Sequence, residues 1–488
     1  MKTKILSGIF VAIVLSATAQ NETDALRYSQ ISPTGTARFA ALGGAFGALG
    51  SDFTTLSFNP AGIALYRSSE LSLTPSLYNS TSTADYRGTR TKDNKLNFNF
   101  GNLGAVFTRV RNKEGSTYGW LNFNFGIGYN RLNSFQNRVS IEGRNFDHSI
   151  ADAFTSQAYG TTYSDLANSN PFDANLAWQT YVIDTASGET SIYNTPMGNY
   201  GQLQKLQATT RGSMGETVIA FGGNYSNKLY LGATIGIPNV KYTQEKVYEE
   251  SDDLDTIPQF TSLKYTETLK TSGNGFNLKL GIIYRITDWV RVGGAFHTPT
   301  YFRLTDNWIS GMSSKIYNQD FTAESPAGNF QYTLTTPLKA IASVGFIAGK
   351  AGLISADYEY VNYSTAKLNS SSFNFSAEND SVKIKYNATA NIRIGTEWRY
   401  KVFSARAGYA IFGSPYSKTF KIDNSTISFG LGLRTKGFFM DATYLMNISK
   451  QNLYNLYSYR ALNDEIKTVS AEVNNVAGSF MLTFGIRY

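Results

Sequence analysis

The sequence has no cysteine, only two histidines, and charged side chains at only 16% of its 488 positions. Without cysteine neither a disulfide nor a thiolate site can form, so the fold is held by hydrogen bonding and packing alone. His148 and His297 have no recognisable serine motif beside them, which leaves a lipid hydrolase without positive support and names no catalytic residue. No dense Lys/Arg run is present to track a phosphate backbone, so nucleic acid is excluded as a partner. No stretch is long and apolar enough for a spanning helix, and helical periodicity is missing over most of the chain. The acidic run Glu249-Glu250-Ser251-Asp252-Asp253 reads as a solvated loop, and no metal or cofactor is expected.

What the chain does have is 32 Tyr, 32 Phe and 43 Gly, with a mean hydropathy of -0.24. Residues 1–19 carry Lys2 and Lys4, the apolar run Ile9-Phe10-Val11-Ala12-Ile13-Val14-Leu15, and then Ala17-Thr18-Ala19. That order is a secretory leader, with Ala17 and Ala19 marking cleavage. Lys2 and Lys4 account for two of the net +8, leaving +6 on the exported chain, a modest excess suited to anionic lipid head groups.

From residue 20 to 68 small residues dominate, as in Ala40-Ala41-Leu42-Gly43-Gly44-Ala45-Phe46-Gly47-Ala48, and the stretch closes on Asn59-Pro60-Ala61-Gly62-Ile63-Ala64. Gly and Ala let backbones approach closely in a confined space. Gly43-Gly44 lacks the Gly-Lys-Ser/Thr of a phosphate loop.

Beyond residue 69 the period becomes two. Phe276, Leu278, Leu280, Ile282, Tyr284 and Ile286 alternate with Asn277, Lys279, Gly281 and Arg285, giving one greasy and one polar face. Strands are expected at 70–78, 95–110, 118–131, 215–226, 229–248, 261–286, 289–309, 329–347, 351–363, 384–399, 402–412, 426–435, 438–447 and 473–487, about fourteen in all, the even number of a bacterial barrel. Connections alternate between short turns (112–117, 227–228, 287–288, 348–350, 400–401, 436–437) and long excursions, the largest at 132–214. Short periplasmic turns opposite long extracellular loops predict an all-β, antiparallel transmembrane β-barrel over 69–488 with an N-terminal hatch at 20–68. Several strands exceed the ~9 to 11 residues that cross the hydrocarbon, and Pro238, Pro299 and Pro337 mark breaks within them. Phe480, Leu482, Phe484, Ile486 and Tyr488 alternate to an aromatic C-terminus, the terminal-strand signal read by the barrel assembly machinery.

The Asn59-Pro60-Ala61-Gly62 motif after a Gly/Ala-rich start, with Gly273-Asn274-Gly275-Phe276-Asn277-Leu278 leading to His297-Thr298-Pro299-Thr300, resembles the outer-membrane long-chain fatty acid and aromatic hydrocarbon transporter family (FadL/TodX type). Leu353-Ile354-Ser355-Ala356-Asp357-Tyr358-Glu359-Tyr360 matches a further block of that family. The resemblance implies a fourteen-stranded barrel closed by a hatch, a kinked strand with a lateral opening, and passive transport of hydrophobic small molecules, foremost long-chain fatty acids. It implies a monomer in the outer membrane of a Gram-negative bacterium, with lipid and lipopolysaccharide around it and a hydrophobic small-molecule ligand within. Lys279, Arg285 and Arg291 are candidates to meet a cargo carboxylate, or to pair with Glu359 and Glu397. Phe154 and Trp178 are candidates for a capturing groove in the large loop, or for packing of that loop on itself. The alternative reading is a barrel component of a secretion or surface-assembly system, which a co-purifying protein and a lipid-free lumen would reveal.

Overall fold

The computed structural model describes residues 22–111, 118–197, 199–417, 423–460 and 465–488. The leader, with Ala17 and Ala19, and the turn expected at 112–117 lie outside the described residues.

Fourteen antiparallel strands close into a barrel among the described residues. β1 (Glu70–Tyr86) pairs on one side with β2 (Thr89–Val110) and on the other with the last strand, β14 (Ile466–Arg487). Each strand between them pairs with its neighbours in sequence. They are β3 (Trp120–Ser134), β4 (Leu203–Tyr225), β5 (Leu229–Ser251) and β6 (Phe260–Arg285). β7 comes in two segments, Val290–His297 and Tyr301–Ile316, and β8 likewise in two, Gly328–Thr335 and Lys339–Ala348. β9 (Gly352–Asn362), β10 (Ala388–Tyr400), β11 (Phe403–Phe412), β12 (Asp423–Arg434) and β13 (Phe438–Arg460) complete the circuit.

The side-chain period sets which face meets which solvent. On β6, Phe276, Leu278, Leu280 and Ile282 are exposed on the outside, whereas Asn277 and Lys279 are 5% and 2% exposed within. Trp289, Trp398, Tyr400 and Tyr488 stand exposed beside the short turns, as an aromatic girdle does at a lipid boundary. A greasy exterior around a polar, filled interior, with every wall strand paired on both sides at the short-turn end, is an outer-membrane-type β-barrel crossing lipid. In the last strand Phe480, Phe484, Ile486 and Tyr488 are exposed on this outer face and Leu482 is half-buried on it, while Met481 and Thr483 point inward.

Most strands run further than expected. β1 and β2 continue to a tight turn at Arg87 and Gly88, and β6 is 26 residues long. The long connection expected after residue 309 is largely a strand hairpin turning at Tyr317 and Asn318. Above the membrane both faces of a strand can be polar, as in Asn79-Ser80-Thr81-Ser82-Thr83, so the hydrophobic period vanishes while the strand persists. One expected boundary is corrected: Ile384 belongs to the helix Ser376–Lys385, and β10 starts at Ala388.

The three prolines fall at one level of the wall, on β5, β7 and β8, with β6 between the first two. The β5–β6 ladder passes from Gly236↔Asn277 to Asn239↔Asn274, skipping Pro238, while β7 breaks at Thr298-Pro299-Thr300 and β8 at Thr336-Pro337-Leu338. Threonine hydroxyls repair the ladder: Thr298 Oγ1 accepts from Leu278 N at 3.0 Å, and Thr336 Oγ1 from Thr300 N at 2.9 Å.

The lumen is filled at both levels. Residues 22–67 enter it as two short helices, Glu22–Arg27 and Ala37–Ala41, and two 3-10 turns, Phe53–Ser57 and Pro60–Leu65. Glycines in the wall make room. A side chain at Gly281 would lie 2.0 Å from Asn59 Oδ1, and one at its cross-strand partner Gly232 would lie 2.1 Å from the Pro60 carbonyl oxygen. Across the barrel the paired Gly395 and Gly408 lie equally close to Leu42 and Gly43.

Candidate functional site: the plugged lumen and the bent third strand

The plug is pinned to the wall by polar side chains. Asn59 caps the turn Pro60–Leu65, accepting from Ala61 N at 3.1 Å, while its amide donates to the Gly47 and Ile282 carbonyls at 2.6 and 3.3 Å. Pro60 occupies the first helical position, where its missing N–H costs nothing. Gly62 packs on Thr55, with no space for a side chain. Asp357 of β9 accepts from Phe46 N and Gly47 N, both at 2.9 Å, and Asn130 donates to Ser57 Oγ at 2.9 Å. Arg38 pairs with Glu397 at 2.8 Å, the same carboxylate that takes Arg406 at 2.7 Å. Removing one partner from a buried set of this kind leaves an uncompensated charge.

The three cations singled out in the sequence are not brought together. Lys279 lies buried midway along β6 and pairs with Glu216 of β4, a carboxylate that also accepts from Asn277 at 3.2 Å. Arg285 sits half-buried at a short turn and pairs with Asp288. Arg291 faces the short-turn end, below the plug. Glu359 and Glu397 have other partners: Arg393 at 2.7 Å for the first, and Arg38, Arg399 and Arg406 for the second. Another lumen cation, Lys339 of β8, touches the plug directly, its ammonium donating to the Ser29 carbonyl at 3.0 Å. His297 is also engaged by the plug, through Nε2 and the Phe58 carbonyl at 2.6 Å.

The third strand leaves the wall. The β2–β3 ladder stops at Asn102↔Asn130, although β1–β2 pairing runs on to Thr89. Past a register shift at Arg131/Asn133 the chain turns into the lumen and forms the strand Asn137–Arg144, paired only with β4. Asn137 reaches Ser80, Ser82 and Asn475, inward-facing residues of β1 and β14, from within. The upper edge of β2 is bridged by side chains alone, such as Lys95 Nζ to the Thr210 carbonyl at 3.0 Å. The arm of the plug lies against this bend: Ser32 N donates to the Leu132 carbonyl at 2.8 Å, Thr34 Oγ1 to the Arg131 carbonyl at 2.8 Å, and Ser32 Oγ to Asn133 Oδ1 at 3.1 Å. Beside the arm is a cavity of about 300 Å3, lined in part by Tyr78, Asn133, Phe412 and Leu445. Before the arm, Leu26 and Tyr28 lie in an apolar chamber with Phe135, Tyr242, Phe302 and Tyr332.

The large loop roofs the mouth. Phe154 is 2% exposed and meets Tyr265 edge-on, while Trp178 stacks on Tyr163. Both belong to an apolar core that joins helices of the loop to β1, β4, β5, β6, β7, β13 and β14. Of the two readings of these residues, a groove or packing of the loop, the structure shows both side chains packed on the loop and on the strand tops. Glu250 corrects the expectation of a solvated loop. It is fully buried, accepting from Ile150 N at 2.9 Å, Tyr248 Oη at 2.8 Å and Gln204 Nε2 at 2.8 Å, and it anchors the start of the helix Ile150–Ala158. Sequence alone missed Glu216, Asp357, Lys339 and the wall glycines; period two places them on the inner face, but only register shows what they touch.

No protein-family model matches the chain, and no curated protein matches its sequence. Solved structures match in three dimensions. A Pseudomonas aeruginosa FadL homologue has a TM-score of 0.55 at 11% identity, over 94% of this chain and 99% of that one. The Pseudomonas putida toluene transporter TodX gives 0.53 at 12%, over 93% and 99%. The CymD monoaromatic hydrocarbon channel gives 0.50 at 12%, over 94% and 98%. At these identities the likeness is one of fold, and it is the fold that the sequence resemblance implies.

Proposed function

We propose that the protein passively transports hydrophobic small molecules across the outer membrane, with long-chain fatty acids as the foremost cargo, and releases them sideways through the seam beside β3. The observation that carries this reading is the seam itself. The roofed mouth and the pinned plug block a straight path, whereas the β2–β3 ladder is interrupted where the arm lies and where a cavity opens beside it. Among the described residues the arm is held to the bend by a few hydrogen bonds, while residues 36–66 are fixed by many. Withdrawal of the arm would join the cavity to the seam and free the Lys339 ammonium from Ser29, leaving a cation for an anionic head group. The solved neighbours, described as toluene, monoaromatic hydrocarbon and FadL-type proteins, support a hydrophobic cargo. No step requires energy coupling, because dilution and onward metabolism draw the flux.

Both histidines have structural partners, His148 with Tyr459 and Asp152 and His297 with the plug, which fits a transporter rather than a hydrolase. The test is uptake of a labelled long-chain fatty acid and of labelled toluene by cells lacking the protein, restored with wild type or Asn59→Ala. Loss of either uptake on deletion, rescue by wild type, and failure of a normally assembled Asn59→Ala barrel support the proposal. Unchanged uptake of both refutes it and favours the secretion-partner alternative.

A further inference from the structure

At the short-turn end, between the underside of the plug and the wall, lies an open cavity of about 440 Å3. Its lining is strongly cationic. Arg38 and Arg67 reach it from the plug, and Arg291, Lys350, Arg399, Arg434 and Arg487 from the wall, while among the described residues no Asp or Glu lines it.

Some of this charge is answered from behind the cavity. Glu397 takes Arg38 at 2.8 Å and also Arg399, Asp441 takes Arg434 at 3.5 Å, and Glu70 takes Arg487 at 2.9 Å. Arg406 draws on both Glu397 and Asp441 as well, at 2.7 and 2.6 Å. Three carboxylates therefore serve five arginines. Among the described residues Arg291 and Lys350 form no ion pair, and Arg67 reaches only the amide oxygen of Asn227, at 3.4 Å. The Nε of Arg291 is buried without a hydrogen-bond partner. These unanswered donors come from separate elements and meet at one space.

We propose that this cavity is a binding site for a small multivalent oxyanion of the phosphate type, which bridges plug and wall. Guanidinium forks match the paired oxygens of phosphate, and an arginine-rich lining favours that geometry over a point charge. Arg67 approaches from the chain that leaves the plug, Arg291 and Lys350 from the wall, so one anion touching all three ties the plug's base to the barrel. The same chemistry is available from a soluble phosphate compound or from a phospholipid head group of the periplasmic leaflet. The proposal is independent of the cargo.

The full-length mature protein in neutral detergent, at about 0.15 M salt where surface charges are screened, would be titrated calorimetrically with inorganic pyrophosphate. Saturable binding is expected, weakened at least about tenfold in the Arg291→Gln/Lys350→Gln variant and unchanged in Lys92→Gln/Lys467→Gln, whose lysines are exposed at the far end. Neither Arg291 nor Lys350 has a carboxylate partner, so the first variant leaves no orphaned charge, and the heat-dependent gel shift of a closed barrel confirms its folding. Repetition in nanodiscs identifies the source: loss of pyrophosphate binding in phosphatidylglycerol but not phosphatidylcholine discs assigns the head group, and retention in both assigns a soluble anion. Absence of saturable binding, or equal binding by both variants, overturns the proposal.

Discussion

At Gly281 a missing side chain decides whether the plug fits, because a Cβ there would fall 2.0 Å from Asn59 Oδ1. Gly281→Val should push the Asn59 cap off the wall and cost about 1–3 kcal/mol, the usual penalty of overpacking. Gly437→Ala, whose Cβ has nothing nearer than the Arg487 carbonyl oxygen at 3.9 Å, should be neutral. Denaturant unfolding of the purified barrels reads the difference, and equal midpoints would show that the contact does not constrain the plug. The same position shows what the residue scale conceals from sequence. Period two puts Gly281 and Lys279 on the inner face, but that Gly281 meets Asn59 and that Lys279 meets Glu216 depends on register across strands far apart in the chain. An inward cation looked like a candidate for a cargo head group because its acid lies 63 positions away.

Among the elements, β7 and β8 carry the most unusual wall. Each is cut by a proline at the level where the β5–β6 ladder skips Pro238, and hydroxyls of Thr298 and Thr336 close the gaps. Converting both to valine keeps the shape but leaves the Leu278 and Thr300 amides without their acceptors, at about 1–3 kcal/mol each where water is scarce. The double variant should therefore unfold at lower denaturant than either single one, and a wild-type midpoint would show that other acceptors suffice. Sequence revealed these breaks, because proline cannot donate to a ladder, and revealed most strands wherever one face meets lipid. It stopped short where strands rise above the membrane, and it read Ile384 as strand because the helix Ser376–Lys385 shows little apolar periodicity. The large loop was visible only as a length. Its aromatic residues are those of a groove or of a small core, and the contacts of Phe154 with Tyr265 settle on the core.

Across the whole molecule the barrel, the plug and the roof divide the task. The barrel meets lipid, the roof covers the mouth and the plug fills the lumen, and the proposed function takes the interrupted seam beside β3 as the exit. That division was legible in outline from a Gly/Ala-rich start, fourteen alternating segments and short turns opposite long loops. The seam was not, since an unpaired edge is a property of two strands and leaves no mark on either one. The arm that lies over it offers the most direct test, helped by a chain with no native cysteine. Ser32 Oγ and Asn133 Oδ1 are 3.1 Å apart, so a Ser32→Cys/Asn133→Cys pair should form a disulfide that fastens the arm to the bend. Uptake of labelled long-chain fatty acid would be measured in cells carrying this pair, oxidised and then reduced. Lateral passage past a mobile arm predicts uptake lost on oxidation and restored by reductant, with each single cysteine behaving as wild type; full uptake through a quantitatively cross-linked protein would contradict it.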